Sequence, residues 1–160
     1  MSTRIAILTV SDGCAAGTRE DRSGAAIAAW VRDQGCEVAA HVVVPDETHR
    51  IAAQLIQWSD AGDVPLILTT GGTGLGPRDV TPEATRAVIE REAPGLAEAL
   101  RSAGLRQTPR AALSRGIAGT RGRCLIVNLP GSTSGVIDGL ATLGPLVKHI
   151  AALLRGETEH

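Results

Sequence analysis

Apolar and polar positions change their period several times along this chain, and each change marks an element. Arg4–Val10 is an almost unbroken apolar run, the pattern of a strand covered on both faces. Ile27, Trp30 and Val31 then recur at helical spacing, and that helix stops at Gly35. Glu37–Val44 reads as a second strand ending at Pro45, followed by an amphipathic helix marked by Ile51, Leu55 and Trp58, with Thr48 in the N-cap position. Val64–Thr69 is the third strand, Pro65 being tolerated at its start. Glu83–Glu92 and Gly95–Ala103 read as helices broken at Pro94, and Gln107–Arg115 as a short helical connection. Gly116–Gly122 is turn-rich and a candidate to form a hairpin with the strand Cys124–Leu129. Helical pieces over Val136–Leu143 and Leu146–Leu154 are separated by Gly144-Pro145. This alternation predicts an α/β fold: a three-layer α/β/α sandwich on a mainly parallel sheet, with an antiparallel hairpin at its edge. No repeat, low-complexity segment or linker interrupts it, so residues 1–160 are expected to form one domain.

Composition narrows the functional classes. A net charge of -1 with 21% charged residues gives no general attraction to nucleic acid or an anionic membrane. Phe and Tyr are absent and only Trp30 and Trp58 are aromatic, which argues against a stacking platform for single strands. No apolar run reads as membrane-spanning, and Met1-Ser2-Thr3-Arg4 leads directly into a strand rather than a cleavable signal. Cys14, Cys36 and Cys124 are an odd number without close spacing, so neither a disulfide framework nor a zinc site is expected. His41, His49, His149 and His160 also lack ligand spacing. A cytoplasmic protein is the expectation.

Chemistry concentrates in Thr69-Thr70-Gly71-Gly72-Thr73-Gly74-Leu75-Gly76-Pro77-Arg78-Asp79-Val80-Thr81-Pro82, between a strand and a helix with Thr81 as cap and Pro82 at its first position. Glycines at 71, 72, 74 and 76 leave backbone N–H groups unobstructed and permit positive φ, so the loop can wrap a phosphate. It then delivers the carboxylate of Asp79, and an anion cradle beside a carboxylate suggests a phosphorylated substrate with a divalent metal between them. A Walker A loop would need Lys and Ser or Thr where Pro77-Arg78 stand, and the only lysine is Lys148. A dinucleotide fingerprint would need glycine where Pro77 is and would follow the first strand, where Ser11-Asp12-Gly13-Cys14 occurs instead.

The loop with its continuation Glu83-Ala84-Thr85 closely resembles the signature of the molybdenum-cofactor biosynthesis domain family, and most of all its molybdopterin adenylyltransferases. Leu8-Thr9-Val10-Ser11-Asp12, Asp21-Arg22-Ser23-Gly24, Val44-Pro45-Asp46-Glu47, Leu113-Ser114-Arg115 and Asn128-Leu129-Pro130-Gly131-Ser132 agree with it in order. The resemblance implies transfer of AMP from Mg²⁺-ATP to the phosphate of molybdopterin. It makes Asp46 and Asp79 the critical pair, as catalytic residues and Mg²⁺ ligands; judged alone, Asp46 reads as a turn or capping residue. Gly71, Gly72, Thr73 and Gly74 would cradle nucleotide phosphate with Thr81 fixing the loop, and Ser11 and Asp12 would bind nucleotide or molybdopterin. Ser114, Arg115, Asn128, Pro130, Gly131 and Ser132 would serve the pterin, although Asn128–Ser132 alone reads equally as a Pro-Gly turn with a serine cap. Arg78 either stabilises transition-state charge or pairs with Asp79 or a helix acid.

Relatives often carry lysine just after Pro-Gly-Ser, where this chain has Thr133-Ser134-Gly135, so positive charge near the substrate is reduced. The resemblance further implies a homotrimer, for which Leu146–Leu154 offers apolar packing, and hand-over of product to a molybdate insertase. Relatives that perform insertion carry this domain within longer chains, so the 160-residue length favours adenylyl transfer. A non-catalytic molybdopterin carrier is the rival class, and magnesium-dependent pyrophosphate release separates the two.

Overall fold

A computed structural model describes residues 2–157; Met1 and His160, named above, lie outside them. Strand β1 (Arg4–Val10) leads into the one-turn helix α1 (Asp12–Ala15) and then α2 (Arg22–Asp33). Next come β2 (Glu37–Val44), α3 (Thr48–Ala61), β3 (Leu66–Thr70) and α4 (Thr81–Val88). The chain continues through β4 (Arg91–Glu92), α5 (Pro94–Leu105), a 3₁₀ turn at Pro109–Leu113, β5 (Ala118–Arg121) and β6 (Cys124–Leu129). Helix α6 (Thr133–Leu143), a second 3₁₀ turn (Gly144–Leu146) and α7 (Val147–Leu154) complete it. The six strands form one sheet in the order β2-β1-β3-β6-β5-β4.

The four strands β2, β1, β3 and β6 run parallel, and β5 and β4 add an antiparallel edge. Period-2 side-chain alternation divides the strands between two cores. Ile5, Ile7, Leu66, Leu68, Leu125, Val127 and Leu129 face α2, α6 and α7. Ala6, Leu8, Val10, Ile67, Cys124 and Ile126 face α3 and α4. Both faces are covered, which is why the strands read as continuous apolar runs, and the expected three-layer arrangement with its edge hairpin is present.

Four local readings are corrected. The helix expected over Glu83–Glu92 ends at Val88, and Arg91–Glu92 pairs with Thr120 and Gly119 as β4, because β5 leaves an edge for it to complete. Thr81 is the first helical residue after the cap Val80, and its hydroxyl is turned inward to the loop. Thr48 likewise opens α3, with Glu47 in the cap position and no side-chain cap bond. Finally, the helical turns from Thr133 to Leu154 run together into a 22-residue stretch of mean hydropathy 1.4, long and apolar enough to cross a membrane by length and composition. Its apolar side packs on the sheet through Val136, Leu140, Leu143 and Val147, so the same hydropathy here serves a core.

Candidate active site

The four parallel strands end side by side, at Val10, Val44, Thr70 and Leu129. The loops that leave them therefore share one edge of the sheet, where ligands bind in open parallel folds. Ser11 caps α1 by accepting from Cys14 N at 3.2 Å, and this turn presents Asp12 beside Asp46. The pairing is reciprocal. Asp12 N donates to Asp46 Oδ2 at 2.8 Å, and Asp46 N donates to Asp12 Oδ1 at 3.0 Å.

The glycine loop lies against these residues because side chains would not fit. Gly71 has φ +96°, and a Cβ there would lie 2.2 Å from Val10 O. Gly72 has φ +67°, and its Cβ would lie 2.3 Å from Thr81 Oγ1 and 3.2 Å from Asp46 Oδ1. Thr81 Oγ1 donates to Gly71 O at 2.9 Å and Thr81 N to Gly72 O at 3.1 Å, so the helix start clamps the base of the loop. At the tip, Gly76 N donates to Asp79 Oδ2 at 2.8 Å and Asp79 N to Gly76 O at 3.0 Å. The N–H groups of Gly72, Thr73 and Gly74 find no acceptor among the described residues and are free for an anion.

Asp46 and Asp79 each commit Oδ2 to a backbone N–H, and Oδ1 of each accepts no hydrogen bond among the described residues. Burial raises the Asp46 pKa, the backbone bond from Asp12 opposes this, and the Asp12 and Asp79 charges add to the rise. A cation would relieve that repulsion. Among the described residues no group of three His, Cys, Asp or Glu side chains could hold a metal. Two carboxylates with free hard oxygens beside a phosphate cradle suit an ion such as Mg²⁺ that arrives with a phosphorylated ligand.

Arg78 pairs not with Asp79 but with a helix acid, Asp12 at the start of α1. It grips Asp12 with both arms, Nε to Oδ2 at 3.0 Å and Nη2 to Oδ1 at 2.9 Å, and this hydrogen-bonded pairing lowers the Asp12 pKa. Arg115 lies behind the loop. Its backbone N donates to Thr73 O at 2.8 Å, Nε to Gly74 O at 2.7 Å and Nη2 to Asp79 O at 2.7 Å, while Nη1 pairs with Glu83. Asn128 is also spent internally: Nδ2 donates to Thr69 and Thr85 hydroxyls, each at 3.0 Å, and Oδ1 accepts from Ile117 N. Thr70 Oγ1 donates to Pro130 O at 2.7 Å, and Ser132 caps α6 through Gly135 N, so the β6–α6 loop is held beside the glycine loop.

Two hollows open on this edge. The first, about 740 Å³, lies under α5 and the Pro109–Leu113 turn and is lined by Gly72–Gly74, Leu100, Arg101, Ser114 and Asn128–Ser132. The second, about 780 Å³, is lined by Ser11, Cys14, Arg19–Ser23, Asp46 and Gly71. They share Gly72, Asp79, Gly131 and Ser132. Asp12, Arg78, Thr81 and Arg115 line neither and support residues that do.

Two features were missed at the sequence level. Arg101 of α5 enters the first hollow, with Nη1 donating to Ser114 O at 3.1 Å and Gly116 O at 2.8 Å. Thr9 Oγ1 donates to Asp21 Oδ2 at 2.7 Å, and His41 Nε2 lies 2.9 Å from the same oxygen, fixing the aspartate that caps α2. The Asp21-Arg22-Ser23-Gly24 motif signalled Asp21; no local pattern signalled Arg101.

Comparison with known proteins shows what the sequence and fold are similar to. The molybdopterin biosynthesis enzyme MoaB of Thermus thermophilus superposes with a TM-score of 0.90 at 51% identity, covering 96% of this chain and 97% of that one. The molybdopterin adenylyltransferase of Helicobacter pylori strain J99 is 36% identical over 154 residues, 95% of this chain and 88% of that protein. The molybdenum cofactor biosynthesis bifunctional protein of Chlorobaculum tepidum is 42% identical over 96% of this chain, which spans only 49% of that relative's length. Residues 6–149 match the family described as "Probable molybdopterin binding domain". With the match covering most of the sequence and the fold shared throughout, the chain belongs to this molybdopterin-binding domain family of molybdenum cofactor biosynthesis.

Proposed function

We propose that the protein is a molybdopterin adenylyltransferase, with residues 1–160 working as one unit. It would join AMP from ATP to the phosphate of molybdopterin. The observation that carries this reading is the pair of hollows meeting at Gly72, Asp79, Gly131 and Ser132 beside Asp46. Two substrates lying one in each hollow would bring their phosphates together at the free N–H groups of the glycine loop. An oxygen of the acceptor phosphate forms a bond to the α-phosphorus, the α–β P–O bond breaks, and pyrophosphate leaves with the electron pair.

The protein contributes orientation and charge neutralisation. Asp46 and Asp79 would hold Mg²⁺ through their free oxygens, and the ion when bound supplies positive charge against the phosphates. Gly72, Thr73 and Gly74 donate N–H bonds to phosphate oxygens, while Thr81 and Arg115 keep the loop in shape. The similarity to curated adenylyltransferases supports the reaction class. A homotrimer built on α6 and α7, a cytoplasmic location and hand-over of the product to a molybdate insertase complete the proposal.

The test is pyrophosphate release on mixing protein, ATP, Mg²⁺ and molybdopterin, with Asp79→Ala as control. Release should require molybdopterin and fall about a hundredfold or more in the variant, with its melting transition retained. Tight molybdopterin binding without release would make the protein a carrier instead.

A further inference from the structure

Strand β2 lies at the edge of the sheet, and most of its side chains pack on one core or the other, among them Val38, Ala40 and Val42. His41 does something else. Its Nε2 lies 2.9 Å from Asp21 Oδ2 and 3.1 Å from Thr9 Oγ1, and Thr9 Oγ1 donates to the same carboxylate oxygen at 2.7 Å. The carboxylate beside it sets the imidazole proton on Nε2. Asp21 Oδ1 accepts from Gly24 N at 2.9 Å, so this side chain, only 17% exposed, faces three donors from three elements. With Thr9 and His41 both on Oδ2, the lone pairs of that oxygen are filled. Asp21 is therefore a strut between β1, β2 and α2, with no room on Oδ2 for a metal or a substrate proton.

The strut explains the glycine of Asp21-Arg22-Ser23-Gly24. A Cβ at Gly24 would lie 2.3 Å from Asp21 Oδ2 and 2.5 Å from both His41 Nε2 and Thr9 Oγ1, so the three side chains can converge only over a glycine. What the strut holds is a wall of the second hollow. Arg19–Ser23 lines that hollow, and the segment is tied at one end where Thr18 N and Arg19 N donate to Gly13 O. Asp21, capping α2, is the tie at the other end. Asp46 lines this hollow and not the first, and Val10 is the sole aliphatic residue among its described lining. Hydroxyls, charges and backbone N–H groups beside that carboxylate suit a polyanion that brings its own cation, the triphosphate end of Mg²⁺-ATP. His41 itself lines neither hollow.

We propose that His41 and Thr9 are positioning residues for the nucleotide: by locking Asp21 they fix the start of α2 as a wall of the second hollow and so set the affinity for Mg²⁺-ATP. The assignment rests on the adenylyltransferase reading, with the nucleotide in the second hollow. His41 acts wholly through Asp21, so its contribution falls on nucleotide binding and leaves the transfer step and the acceptor side untouched.

The experiment measures kcat and KM for each substrate by pyrophosphate release, and Mg²⁺-ATP binding by calorimetry, on the full chain and three variants. His41→Ala and Thr9→Val each remove one donor to Asp21 and should raise the KM and Kd for Mg²⁺-ATP roughly threefold to tenfold, the net worth of one hydrogen bond. Their kcat and their KM for molybdopterin should match wild type. His41→Gln carries an amide nitrogen that can reach the position of Nε2, and it should restore wild-type nucleotide affinity. A fall of kcat at unchanged KM marks a merely structural role and overturns the proposal, as does an equal rise in the KM for molybdopterin. It is overturned too if His41→Gln binds nucleotide no better than His41→Ala, or if wild type binds no Mg²⁺-ATP. Wild type that binds Mg²⁺-ATP yet releases no pyrophosphate would sink the adenylyltransferase reading alone, and the calorimetric series would still decide the role of His41.

Discussion

At the scale of single residues, Asp46 shows how the site's chemistry works against the fold. Its pKa is raised above the ordinary value of 3.8, chiefly by burial and further by the Asp12 and Asp79 charges. A raised carboxyl binds its proton more tightly in the folded state than in the unfolded chain. Ionising Asp46 therefore removes stability as pH climbs from about 3.8 through the higher folded value, and the full penalty applies at neutral pH. Asp46→Asn keeps the acceptor for Asp12 N and removes the charge. The variant should melt roughly 1–3 °C above wild type at pH 7, allowing for solvent screening, and lose that advantage near pH 3. It should also lose adenylyl transfer. Calorimetry across this range checks the sign, and a lower Tm at pH 7 would show that the charge is held favourably.

At the scale of elements, the glycine loop is a short segment whose shape is imposed from outside. Its base is clamped by the start of α4, and its middle is braced by Arg115 from the strand-entry segment before β5. Removing the brace with Arg115→Ala leaves the carbonyls of Gly74 and Asp79 without their charged donor. We expect a loss of about 1.5–3 kcal/mol in unfolding free energy and a fall of kcat/KM that exceeds the change in acceptor affinity. Arg115→Lys should not rescue it, because one ammonium cannot reproduce three divergent bonds. Denaturant titration with steady-state kinetics on both variants measures this; full activity in Arg115→Lys would reduce the brace to a single contact.

For the whole molecule, the parallel strands bring four loops to one edge, while α6, α7 and the 3₁₀ turn between them carry apolar residues on their outer side. Ile137 is 57% exposed, Leu146 37% and Leu153 44%. Side chains of this kind in a row of helices suit contact with a second copy. On the proposed homotrimer, sedimentation velocity should give three times the 16.5 kDa chain mass, and Ile137→Glu should shift the distribution towards monomer. A monomer peak for wild type at micromolar concentration would remove the homotrimer from the proposal.

The sequence by itself determined the layered fold and marked the loops that carry the candidate site. Apolar runs at Arg4–Val10, Val64–Thr69 and Cys124–Leu129 name strands buried on both faces, the middle one observed at Leu66–Thr70, and the glycines, Pro130 and the two aspartates mark the loops that follow strands. These signals are legible because each depends on neighbours within a few residues, through side-chain period and turn chemistry. Only the tertiary structure decided who partners whom. Arg78 reaches Asp12 across 66 positions and Arg115 reaches Gly74 across 41, while Arg101 takes the place beside Ser114 that adjacency in sequence suggested for Arg115. Arg91–Glu92 becomes a strand although its pattern continues a helix, since the edge of β5 offers it a partner. A long arginine side chain can satisfy its donors on any nearby acceptor, so its role follows from which acceptors the packed elements bring within reach, and local sequence does not encode that.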